Sequence, residues 1–134
     1  PERSDISRLG SRGSSQLRTE EVALRFLMII CRDDVPVEGP SRALGDDVEQ
    51  WVTAMDARGV RITGDPLAPE TEATVVRVRD GQQQVSKGAF LTTNTPLIGF
   101  DLLECRDVDE AIEVASAHPL AQRFVLELRP IAAD

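Results

Sequence analysis

Few side chains in this chain have the type and setting for chemistry, and they are scattered. Asp65 stands beside Pro66 just past a short apolar run, where burial would raise its pKa and let it act as a general base. Asp101 lies in the apolar stretch Leu97 to Cys105, and a carboxylate there is costly unless it is paired or functional. If the two met in one cavity, they would form a pair able to split acid and base roles. His118, the sole histidine, precedes Pro119 at a helix end, where the helix dipole favours its protonated form and a capping or packing role is expected. One histidine gives no conventional zinc set, so no metal or cofactor is expected. Lys87, beside Gly88, has the charge to hold an anionic substrate, and Trp51 has the bulk to line a pocket. Gly-rich phosphate loops and nucleophile elbows are absent, which argues against nucleotide hydrolysis and serine-hydrolase chemistry.

The elements that would position these groups follow from hydrophobic spacing. Residues 24–31, LRFLMIIC, are apolar on alternate faces, with Phe26, Met28 and Ile30 on one and Leu27 and Ile29 on the other. That pattern predicts a central strand covered on both sides. Val48, Trp51, Val52 and Met55 share one face of a helix that starts near Asp46 and ends at Gly59. Val60 to Thr63 reads as a strand that Pro66 keeps from continuing. Thr74 to Arg79 and Gln82 to Ser86 flank Asp80-Gly81, a preferred pair for a type I′ hairpin turn. Leu97 to Cys105 is the next strand. A second helix opens at Asp107 with the stripe Val108, Ala111, Ile112 and Ala115, and Arg123 to Arg129 closes the domain as a strand. The order is β-α-β, hairpin, β-α-β. It predicts an α+β, ferredoxin-like split βαβ fold with an inserted β-hairpin and two helices on one face of an antiparallel sheet. The uncovered face calls for a partner, and a face-to-face homodimer supplies it.

Residues 1–23 carry five serines and balanced charges, a composition that predicts a flexible N-terminal arm lying against a partner subunit; residues 24–134 form the domain. The net charge of −8 and only 4% aromatic content, with no tyrosine, oppose a nucleic-acid surface. No apolar run is long enough to span a bilayer, and none has the order of a secretory signal. Cys31 and Cys105 stand alone, without a CxxC, and read as the reduced thiols of a cytoplasmic protein.

Six segments carry a resemblance: LRFLMII at the first strand, ARGVRITGDPLAP from Ala57 to Pro69, TVVRVRDG from Thr74 to Gly81, SKGAF from Ser86 to Phe90, DEAIEVASAHP from Asp109 to Pro119, and LELRP from Leu126 to Pro130. Together they resemble the YCII-related family, in the branch named for its DGPF motif, over residues 24–131. The resemblance implies a dimeric α+β barrel with a cavity between helices and sheet in each subunit. Some relatives are lyases or dehydrohalogenases that use a first-helix histidine with a nearby carboxylate. Here Asp46 to Trp51 contains no histidine, Lys87 replaces the motif aspartate, Ala89 its proline, and Asp101 one of an aromatic pair. Asp65 matches the family's acidic position. The resemblance thus implies a cofactor-independent enzyme acting on a small molecule by elimination, isomerisation or cyclisation. Asp65 and Asp101 would be its catalytic carboxylates, with Trp51, Lys87, Phe90 and His118 around the substrate. The alternative is a small-molecule-binding or accessory dimeric module that has lost the family's chemistry.

Overall fold

A computed structural model describes residues 23–33, 44–91 and 94–132. Strand β1 (Leu24–Cys31) is followed by helix α1 (Leu44–Arg58), strand β2 (Arg61–Pro66) and the hairpin β3 (Thr74–Arg79) and β4 (Gln82–Lys87). Strand β5 (Leu97–Cys105), helix α2 (Val108–Ser116) and strand β6 (Val125–Pro130) complete the chain. The main sheet has the order β2-β5-β1-β6 with every pairing antiparallel, and β3 and β4 form a separate two-stranded sheet. This is the split βαβ arrangement expected from the sequence, with the hairpin inserted between β2 and β5. The expected arm lies outside the described residues, apart from its last residue, Ala23.

Alternation along β1 and β5 divides the sheet into two unlike faces. Phe26, Met28, Leu103 and Cys105 point toward the helices and are buried against Trp51 and Met55 of α1 and Ala111, Val114 and Ala115 of α2. On the opposite face Leu27 pairs with Leu102 and Ile29 with Phe100, and all four are half-buried. No element among the described residues covers that face.

Local signals end the elements where chemistry demands. Gly59, at φ +76°, follows α1, and Asp80 (φ +51°) and Gly81 (φ +74°) make the left-handed tip of the hairpin, as the Asp-Gly pair predicts. Asp107 accepts the Glu110 backbone N–H at 2.8 Å to cap α2.

Several boundaries differ from the sequence reading by one to three residues. Helix α1 starts at Leu44, before Asp46. Strand β2 runs on to Pro66, which is tolerated because β2 is an edge strand and a missing N–H costs no ladder bond on the open side. Strand β6 starts at Val125, because a 3-10 turn over Pro119–Gln122 takes up the residues before it. The stripe of α2 also differs. Val108 and Ile112 are about half exposed, whereas Val114 and the Glu110 side chain are buried. Glu110 can sit inside because it accepts the Arg106 backbone N–H at 2.7 Å and pairs with Arg106 at 3.1 Å.

Candidate functional site

Asp101 is only 5% exposed, and the reason for its burial is Arg61. Arg61 opens β2, three residues after α1 ends, and its Nε donates to Asp101 Oδ1 at 2.7 Å. One terminal nitrogen donates to Asp56 of α1 at 3.0 Å, and the other to the Gly64 carbonyl at 3.0 Å. A single guanidinium therefore joins helix, edge strand and central strand. Burial pushes the Asp101 pKa above the ordinary carboxylate range, opposed by Arg61 and reinforced by the negative charges of Asp56 and Asp65. Gly64 stands directly across from Asp101, and a Cβ there would lie 2.1 Å from Oδ1.

The two sequence-nominated carboxylates do not converge. Asp65 pairs with Phe100, one residue off the Gly64–Asp101 pair, and so projects from the helix-free face, whereas Asp101 projects into the helix side. The Asp65 carboxylate is exposed and has no hydrogen-bond or ion-pair partner among the described residues.

His118 and Trp51 form the other buried polar contact. Their ring centroids lie 4.4 Å apart, and the indole N–H donates to the Val114 carbonyl at 3.0 Å. Nδ1 of His118 accepts the Leu120 N–H at 3.0 Å, which caps the 3-10 turn. Burial lowers its pKa to about 4. Desolvation outweighs the pull of the helix dipole toward protonation, and the ring is neutral at pH 7 as it caps the turn and packs on Trp51. Trp51 also borders a shallow depression of about 400 Å³ between α1 and the 3-10 turn.

A larger cavity lies elsewhere. A cleft of about 1100 Å³ opens where the hairpin leaves the sheet, lined by apolar residues such as Leu67, Val75 and Phe90 and by the charged Glu70, Glu72 and Arg77. The guanidinium of Arg77 sits 5.3 Å from the centre of the Phe90 ring, within cation–π range. The Leu67 N–H bonds the Ile98 carbonyl at 2.9 Å, which fastens one wall to the main sheet. Of the six nominated residues, Phe90 alone lines this cleft; Lys87 is exposed at the end of β4. Arg61 and Arg77 were not singled out in the sequence. The alternation of valine and arginine in TVVRVR was the available signal for Arg77.

Among the described residues no three His, Cys, Asp or Glu side chains cluster as a metal site would require, and no helix is long and apolar enough to cross a membrane.

The model of the YCII-related domain matches residues 25–133. The chain belongs to the YCII-related family. This YCII-related chain is also 36% identical over 70 residues to an uncharacterized protein of Rhizobium meliloti (strain 1021). That match covers 49% of the chain and 55% of the relative, so it spans about half the length of each.

Proposed function

We propose that this YCII-related protein is a dimeric small-molecule-binding module whose ligand occupies the cleft under the hairpin. The observation that carries this is the make-up of the cleft: largely apolar walls that carry Arg77, held over Phe90, together with the carboxylates of Glu70 and Glu72. Such a site suits a largely apolar molecule, with Arg77 stacked on Phe90 as the contact for an anionic group. The helix-free face, with Leu27, Ile29, Phe100 and Leu102, supplies the homodimer contact. Cys31 and Cys105 lie at opposite ends and on opposite faces of the sheet, roughly 23 Å apart along β1, too far to bridge. Unbridged thiols suit a reducing, cytoplasmic setting.

A fluorescent apolar anion, 8-anilinonaphthalene-1-sulfonate, tests the site. Saturable binding at one probe per chain is expected, weakened about tenfold by Phe90→Ala and by Arg77→Gln, in line with the loss of ~1.4 kcal/mol. Binding that ignores both substitutions would remove the cleft from consideration.

The raised pKa of Asp101 favours a second reading, the cofactor-independent acid–base enzyme, in which Asp101 serves as the proton-transfer group. Against it stand the Arg61 clamp on Asp101 and the placement of Asp65 on the other face. A turnover that survives Asp101→Asn would end that reading.

A further inference from the structure

The hairpin has two unlike faces. Val75 and Arg77 turn to one face, whereas Val76, Val78 and Val85 share the other, because Val76 pairs with Val85 across the ladder; of these three valines only Val76 also borders the cleft. These three valines are 58%, 61% and 57% exposed. A two-stranded hairpin is marginal in water on its own, and this one makes its ladder only with itself. Three adjacent β-branched side chains on one open face are therefore a surface awaiting cover.

Charge indicates what covers it. The hairpin carries Arg77, Arg79 and Lys87 against Asp80 alone, on a chain of net charge −8. Lys87 pairs with Thr74 and so projects from the valine face, where it meets no carboxylate among the described residues. Asp65 projects from the rim of the helix-free sheet face, on the edge strand β2, and meets no cation among the described residues. An apolar patch edged by an unpaired lysine and a sheet rim edged by an unpaired aspartate are complementary within one sequence.

We infer that the hairpin is a dimerisation arm, whose valine face lies on the rim of a second copy's helix-free sheet face with Lys87 against that copy's Asp65. The inference rests on the homodimer proposed above and adds to it a second, reciprocal contact outside the stacked sheets. The cleft and the partner contact adjoin along β3, where Val76 borders both.

Sedimentation velocity of the full chain at micromolar concentration tests this. Wild-type protein should sediment as a dimer. Val76→Lys with Val85→Lys should give a monomer with unchanged far-UV helical signal, because both positions are exposed in the single chain. Lys87→Glu and Asp65→Lys should each weaken the dimer about tenfold, and the two together should restore it, as expected for a contacting charge pair. A wild-type dimer that tolerates the valine substitutions, or a charge swap no better than its single variants, would overturn the arm while leaving the stacked-sheet dimer standing. A wild-type monomer would overturn both.

Discussion

Replacing Arg61 by Met should expose how much of this fold hangs on one ion pair. The Asp101 and Arg61 side chains are 7% and 12% exposed and 2.7 Å apart, so removal of the arginine leaves a carboxylate buried without a counter-charge. Such one-sided breaks cost about 3–5 kcal/mol. The outer link to Asp56, itself 48% exposed, adds little, about 0–1 kcal/mol. Asp101 has an escape, which caps the loss: it can take up a proton. Starting from an ordinary carboxylate pKa near 3.9, protonation at pH 7 costs about 4 kcal/mol, and at pH 4.5 about 1 kcal/mol. The sign follows from the direction of the shift. The folded pKa of Asp101 is already above its unfolded value, and loss of Arg61 raises it further, so this group stabilises the fold at low pH and that contribution is lost as pH rises. Relative to wild type at the same pH, Arg61→Met should therefore lower the melting temperature by about 15 °C at pH 7 and by only about 4 °C at pH 4.5. Adding Asp101→Asn should recover most of the loss at pH 7. Differential scanning calorimetry of the three proteins at both pH values is the assay. An equal loss at both pH values, or no recovery in the double variant, would refute the buried-charge argument.

Two further outcomes follow from buried groups. The His118 pKa of about 4 lies below the usual value near 6.5, so the stability it contributes is complete above pH 6.5 and is lost as pH falls toward 4. The proton NMR signal of its ring should titrate near pH 4, and a midpoint above 6 would contradict its packing on Trp51. Thiol titration in denaturant without reductant should find both cysteines reactive. In the native protein Cys105 should be inert because it is fully buried, and Cys31 should be slow because burial and Glu127 raise its thiol pKa.

Much of the fold was legible because its signals are local. The two apolar faces of residues 24–31, the Asp-Gly tip and the Trp51–Met55 stripe each depend on neighbours within a few positions, and each matches the structure. The site was less legible because its decisive contacts are distant. Arg61 and Asp101 are 40 residues apart, and the Trp51 N–H meets a carbonyl 63 residues away. The faces taken by Asp65 and Asp101 depend on the register of β2 against β5, which shifts between Arg61 and Thr63. No local periodicity reports such a shift. Desolvation of His118 likewise depends on what packs over it, which helix position alone does not report.

The absence of one carbon at Gly64 has a consequence for how β2 can be threaded. A one-residue slip along β5 would set Thr63 or Asp65 opposite Asp101, and either would bring a Cβ to where one at Gly64 meets Oδ1 at 2.1 Å and the Phe100 carbonyl at 2.5 Å. The slipped alignments are thus blocked by bulk, and an acidic slip by like charge as well. Edge strands ordinarily have the weakest alignment in a sheet, since one side of their ladder is open. Here a glycine makes the edge selective: it admits one threading, and that threading sends Asp65 to one side of the sheet and leaves Asp101 on the other.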